Sequence, residues 1–335
     1  VGERPIATTT DTEARARSYQ PRPRSAAQRA RARKNARTVL LFMSPWLIGF
    51  LLFTLYPVIS SLYYSFTSYP ILASPRWVWL ANYKFMFTKD PFFWIAVRNT
   101  AWIIVFGVPL RIIIAVATAS LLVRPRRGVT VYRTLFFLPT LAPAVAAALA
   151  FVFLFNPTIG PINQLLSALG WKDTPLWFQS PTWSKPAILI LGLWGVGDAM
   201  VIFLAGLLDV PRQLYEAADI EGASRVQRWR YVTLPMISPV IFFSLVIGVI
   251  EGFQEFTSAY VANLTESNGD VNTLGSPLHS LLFFTTRLYQ AGWLKYQMGY
   301  ASALAWMLLI VTLICTLIIL KTSSRWVFYQ GGGLR

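Results

Sequence analysis

The chain has 335 residues, of which 55% are hydrophobic and only 13% charged, and its mean hydropathy is +0.50. Soluble domains usually carry about 25% charged residues, so a single soluble core is excluded and an integral membrane protein is expected. The net charge of +16 lies in tails and short loops beside apolar runs, which is how topology signals are placed and not how bases are read, so no nucleic-acid partner is expected.

Residues 1–37 hold ten Lys or Arg against three acids and are expected to form a disordered basic cytoplasmic tail. Six apolar runs follow, at roughly 40–66, 98–123, 134–155, 186–208, 237–260 and 299–320. Each reaches the ~20 residues that a helix needs to cross ~30 Å of hydrocarbon. Because every backbone amide must be satisfied inside lipid, the expected fold is an all-α integral membrane protein with six transmembrane helices. Arg124, Arg126, Arg127 and Arg133 follow the second run, and Arg212, Arg225, Arg228 and Arg230 follow the fourth. Lys321, Arg325 and Arg335 follow the sixth. The opposite loops are balanced, with Asp90, Asp173, Glu266 and Asp270 among their Lys and Arg residues, which include Arg287 and Lys295. The Lys/Arg bias places both termini in the cytoplasm of a multi-pass protein of the cell membrane. The aromatic-rich outer loops, with Trp77, Trp79 and Trp94, fit an interfacial belt.

Chemistry-bearing residues are sparse. One cysteine, Cys315, and one histidine, His279, leave no intrachain disulfide and argue against His/Cys metal sites and Ser-His-Asp catalysis. There is no G-x-x-x-x-G-K-[ST] phosphate loop, and Gly331-Gly332-Gly333 lacks the lysine, so no nucleotide cofactor is expected in this chain. The informative stretch is a polar island over 209–236. Arg212 to Ser224 reads as a short helix in which Leu214, Ala217, Ala218 and Ile220 form an apolar surface while Glu216, Asp219 and Glu221 stay in water. Gly222 ends it or allows close backbone approach, and Leu234-Pro235 opens the next membrane helix. Composition leaves two readings open: a handle for a cytoplasmic partner, or an amphipathic helix on the membrane surface.

The island also resembles a known motif. Glu216-Ala217-Ala218, three residues, Gly222, nine residues, then Val232-x-Leu234-Pro235 is similar to the EAA loop of ABC importer permeases. Phe203–Leu207, Pro211, Asn99-Thr100, Phe136–Pro139, Gly160 with Asn163, and Gly299–Ala303 extend the likeness to the maltose/lactose-type carbohydrate permeases, the binding-protein-dependent transport system inner membrane components. This resemblance spans 38–325. It implies a type I importer permease domain (core 95–321, coupling loop 209–236) followed by a cytoplasmic tail, 326–335. It further implies a non-catalytic subunit coupled to ATPases through Glu216, Ala217, Ala218, Asp219, Gly222, Ala223, Leu234 and Pro235. The implied partners are a second homologous permease subunit, two cytoplasmic ATPase subunits that hold ATP and Mg, an extracytoplasmic sugar-binding protein and membrane lipids.

Ionisable residues within the spans are Arg111, Asp198, Glu251 and Glu255. Such groups usually face the bundle or a water-filled path. Glu251, Gln254 and Glu255 share the i, i+3, i+4 spacing of one helix face, and Trp194 and Asp198 the i, i+4 spacing. With Phe253, Tyr260 and Tyr300 as aromatic faces, they are expected to line a path for a hydroxyl-rich substrate. The competing reading is structural, with Arg111 pairing an acid. An ion-coupled secondary transporter or a membrane-embedded transferase remain as alternatives, but neither accounts for the island.

Overall fold

The computed structural model describes residues 26–125, 127–267 and 269–328. Most of the expected N-terminal tail (1–25), Arg126 and the last tail residues (329–335) lie outside the described residues. Among those described, four helices are long and apolar enough to cross a membrane: Arg37–Ser65, Phe93–Leu122, Ser238–Glu266 and Met298–Ser323. Two bent pairs, described below, bring the number to six when each pair is taken as one span.

The chain divides after Ser60 into two compact units. The first unit contains α1 (Ala26–Phe50), a π-helical turn (Leu51–Leu55) and the start of α2 (Tyr56–Ser65). α1 begins within the stretch expected to be disordered, which corrects the expected boundary at residue 37. The Ala, Arg, Lys and Gln residues there are good helix formers and extend the apolar helix that follows them. Phe42 and Phe53 are exposed, as a lipid-facing helix requires.

The second unit begins in α2 and continues through a two-residue antiparallel hairpin, β1 (Thr67–Ser68) with β2 (Arg76–Trp77). Then come α3 (Ala81–Thr88), α4 (Phe93–Trp102) and α5 (Val108–Leu122), the last two joined by a π turn at Ile103–Gly107. The third and fourth runs, each expected as one transmembrane helix, are each a bent pair of helices. α6 (Val129–Phe137) and α7 (Ala144–Leu154) are bent by 99°, and α9 (Ser184–Trp194) and α10 (Gly197–Leu208) by 52°. Pro139 and Pro143 remove amides at the first bend, and Gly195 interrupts the second. α8 (Pro161–Ala168) lies between the two pairs. The 209–236 segment holds α11 (Arg212–Ile220), α12 (Arg225–Arg228), a π turn (Trp229–Thr233) and α13 (Leu234–Met236). α14 (Ser238–Phe253), α15 (Thr257–Glu266), α16 (Phe284–Tyr289) and α17 (Met298–Ser323) complete the unit.

In lipid, helices associate through close packing, because the tails are as apolar as the side chains. Accordingly the contacts use small residues. Ala115 and Ala119, one turn apart on α5, are fully buried beneath Met200 and Phe203 of α10. Gly248 and Gly252 on α14 form a second small-residue stripe, where an added Cβ would meet Val108 and Ile104 at 2.8 Å. Prolines 57, 109 and 235 each stand two residues after a π turn. The ring clashes with the carbonyl four residues back, and the wider turn relieves that clash. At the C-terminal end, the Phe328 amide donates to Ser238 Oγ at 2.8 Å and Val327 is buried. Phe328, in the expected cytoplasmic tail, is therefore docked on the start of α14.

Candidate functional site

Two polar assemblies stand out in the second unit. The first is the 209–236 segment. Pro211 precedes α11, and no residue of α11 is buried. Glu216, Ala217 and Asp219 are exposed, and Ile220 is 87% exposed. The expected apolar surface is thus only partly turned inward: Tyr215 and Ala218 are half-buried, whereas Leu214, Ala217 and Ile220 face outward. The helix ends in a Schellman turn. The Ala223 amide donates to the Ala218 carbonyl (2.9 Å) and the Gly222 amide to the Asp219 carbonyl (3.1 Å). Gly222 has φ +75° with open space where a Cβ would be. Its role is therefore the left-handed turn and, within this chain, not close approach.

After that turn, Ser224 caps α12. Its hydroxyl accepts from the Gln227 amide, while the Gln227 side chain accepts from the Ser224 amide. The Ser-x-x-Gln spacing carried this capping-box signal in the sequence. Arg228 of α12 pairs with Asp219 of α11, and the Tyr215 and Thr233 hydroxyls meet at 2.9 Å. These two links tie α11 to the segment that leads through half-buried Leu234 and Pro235 into α14. The result is a braced, outward-facing helix at the end of one span and the beginning of the next.

The second assembly lies within the spans. Arg111 of α5 donates to Asp198 of α10 (3.0 and 2.7 Å) and to Glu251 of α14 (2.7 Å). One guanidinium thus bridges three spans, and it holds both acids rather than the single acid expected. Both carboxylates remain about half exposed in this chain, which leaves acceptor capacity for a ligand. Two adjoining clefts share Val108, Arg111, Gly248 and Glu251, with volumes of about 160 and 50 Å³. The larger also reaches Glu255. Arg111 Nε, Ser244 Oγ and Glu255 Oε1 are buried there without a hydrogen-bond partner among the described residues.

Two expected faces are altered by helix breaks. α14 ends at Phe253 and Gln254 caps it, so Glu255 lies beyond the helix that carries Glu251. The Glu255 carbonyl accepts from the Thr285 hydroxyl, and its carboxyl turns toward Ser258 and Ala259 in the first turn of α15. Trp194 ends α9, and the bend at Gly195–Val196 separates it from Asp198. The Trp194 ring packs on Phe151 (centroids 5.6 Å). Phe253 is half-buried at the end of α14, outside the lining of both clefts. Tyr260 stacks on Phe256 (5.0 Å) and lies against Tyr289 (5.3 Å).

Tyr300 departs furthest from expectation. It is only 5% exposed, and its hydroxyl donates to Asp90 Oδ2 at 2.5 Å. Arg287 Nε and an Arg287 terminal nitrogen bind the same oxygen at 3.0 and 2.9 Å. Asp90 and Arg287 were expected as balanced loop charges; instead they are a buried pair. Its only local signal is Asp90 Oδ1 accepting from the Phe92 amide (3.0 Å), a turn pattern common at Asp-Pro. Asn99 and Thr100 are structural as well. Asn99 donates to the carbonyls of His279 (2.7 Å) and Leu282 (3.0 Å), and Thr100 accepts from the Phe284 amide (2.9 Å). Asn163 likewise accepts from Trp177 Nε1 (2.7 Å).

Comparison with known proteins agrees with this architecture. Residues 107–327 match the family described as "Binding-protein-dependent transport system inner membrane component". The chain is 41% identical over 299 residues to the probable ABC transporter permease protein YesP of Bacillus subtilis (strain 168), covering 89% of this chain and 94% of that protein. It is 32% identical over 299 residues to the arabinooligosaccharides transport system permease protein AraP of the same organism, covering 88% and 90%. It is 33% identical over 259 residues to the lactose transport system permease protein LacF of Rhizobium radiobacter, covering 74% and 81%. A crystal structure of a bacterial ABC transporter that imports the acidic polysaccharide alginate matches with TM-score 0.71 at 24% identity, covering 87% of this chain and 96% of that one. That likeness concerns the fold. With the family matched across both polar assemblies, the chain belongs to the inner membrane components of binding-protein-dependent transport systems, the permease subunits of ABC transporters.

Proposed function

We propose that this chain is one permease half of a carbohydrate importer and that α11 is its coupling helix. The braced helix carries this reading. An exposed helix with no buried residue, closed by Gly222 and tied back through Asp219–Arg228 and Tyr215–Thr233, transmits a push into α14 instead of absorbing it. Glu216, Ala217, Ala218, Asp219, Gly222 and Ala223 form the docking surface for a cytoplasmic ATPase subunit, and Leu234 and Pro235 join it to the membrane. The direction of the Lys/Arg bias supports cytoplasmic termini. Two ATPase subunits hold the ATP and Mg, a second homologous permease completes the path, and an extracytoplasmic sugar-binding protein delivers substrate.

Carbohydrate as cargo is supported by the relatives named for arabinooligosaccharide and lactose transport. It is also supported by half-exposed carboxylates and unpartnered polar atoms around Arg111, which suit hydroxyl groups. Asp198, Glu251 and Glu255 are the polar lining, whereas Trp194, Phe253, Gln254 and Tyr260 lie outside the lining of the two clefts.

The test is Glu216→Lys in the assembled complex. Placing a cation where the docking surface presents an anion is expected to lower ATPase retention and sugar uptake together, by about tenfold, equivalent to about 1.4 kcal/mol. Wild-type retention and uptake would refute the coupling role.

A further inference from the structure

A third cleft, of about 310 Å³, opens at the end of the second unit that carries the 209–236 segment. Ser120 and Arg124 line it from the end of α5 and the residues just after it, Tyr215 from α11, Arg225 and Arg228 from α12, and Trp229 from the π turn. Three arginines are among the lining residues, and no carboxylate is. Asp219 holds Arg228 from outside the cleft, whereas Arg124 and Arg225 have no ion pair among the described residues.

Guanidinium forks match phosphate oxygens, and several together select an anion over a neutral ligand. Depth decides which anion. Arg124 lies two residues beyond the last residue of the span Phe93–Leu122, and Leu207, also in the lining, is the penultimate residue of α10. The cleft therefore sits at the level where lipid headgroups end the hydrocarbon. Trp229, 44% exposed, is the residue type that settles at this boundary.

We propose that this cleft is a phosphate-ester site that takes the headgroup phosphodiester of an anionic phospholipid, with Arg124, Arg225 and Arg228 as donors. Arg228 is shared between the bound phosphate and Asp219 of α11. Occupancy therefore adjusts the brace between α11 and α12, and a lipid can set how tightly the helix is held. That regulatory part rests on the coupling role proposed above; the binding itself does not.

The experiment uses the purified, assembled transporter and native mass spectrometry with phosphatidylglycerol or phosphatidylcholine, each with and without millimolar inorganic phosphate. Phosphatidylglycerol is expected to bind in preference to phosphatidylcholine. Arg124→Gln with Arg225→Gln should weaken its binding by about tenfold or more. Arg124→Lys with Arg225→Lys should retain most of it. Arg127→Gln, exposed on the same loop outside the cleft, should change nothing. If the double glutamine variant fails to assemble, Arg225→Gln alone carries the test. Undiminished phosphatidylglycerol binding in the glutamine variants would overturn the proposal. An equal loss in Arg127→Gln would also overturn it, by reducing the effect to diffuse surface charge. Free phosphate that binds and fully displaces the lipid would assign the site to a soluble anion and overturn the lipid assignment. A failed Glu216→Lys test leaves these binding outcomes unchanged, so the two readings fall separately.

Discussion

Tyr300→Phe separates a structural tyrosine from a substrate contact. The wild-type hydroxyl is one of four donors to the Asp90 carboxylate, beside two from Arg287 and the Phe92 amide. The Asp90 side chain is 0% exposed and that of Arg287 4%, so solvent does not replace a lost donor. Deleting a hydrogen bond to a buried charge costs about 1.5–3 kcal/mol. The phenylalanine ring would keep its edge contact with Phe85 and its place under the Arg287 guanidinium, which confines the change to the hydroxyl. Arg287→Met sets the scale, because it strands Asp90 in the interior at about 3–5 kcal/mol. The assay is denaturant unfolding of the purified permease followed by tryptophan fluorescence, with the KM for uptake measured on the same variants in proteoliposomes. The expected order of stability is wild type, Tyr300→Phe, then Arg287→Met, with the KM of Tyr300→Phe unchanged. A Tyr300→Phe protein as stable as wild type but with a raised KM would refute the structural assignment and return Tyr300 to the path.

Gly299→Ala is expected to disrupt folding more than any surface change. Its Cβ would lie 2.0 Å from the Thr67 carbonyl oxygen, and backbone cannot yield as a flexible side chain does. Loss of about 2–4 kcal/mol would appear as poor yield of folded protein, and a normal yield and melt would contradict the packing. Glu251→Gln and Glu255→Gln are each expected to fold and to slow uptake while ATPase association stays intact. Wild-type uptake in both would remove these carboxylates from the path.

What the sequence made legible follows from the range of each interaction. The 209–236 segment was readable because its determinants are local: Gly222 for a left-handed turn, Glu216-Ala217-Ala218 for the helix, Leu234-Pro235 for re-entry. The spans were readable by length, since hydropathy counts apolar residues. It does not register direction, so the 99° bend at Pro139–Pro143 was hidden behind one continuous apolar run. Glu251 and Glu255 do line one cleft, but the single helix face expected to join them is broken, for another reason. No Gly or Pro lies between Phe253 and Phe256; the break there is accompanied by a bond from Thr285, thirty residues away. The Asp90–Arg287 pair is separated by 197 residues, and no pattern in the intervening chain announces it. Arg111 was identified as an ionisable group within a span, but its simultaneous hold on Asp198 and Glu251 required the fold.

The π turn at Ile103–Gly107 bears on the aim of Arg111. A π turn houses one residue more than the regular winding would, so every side chain after it is displaced by about 100° around the axis. Arg111 lies four positions downstream on the same helix. Its bearing toward Asp198 and Glu251 therefore depends on a single surplus residue next to Pro109. Shortened by that one residue, the helix would remain as apolar and almost as long, yet its arginine would point to a different quarter of the bundle. A length difference of one in this turn, between otherwise similar chains, would be a change of wiring and not a neutral trim.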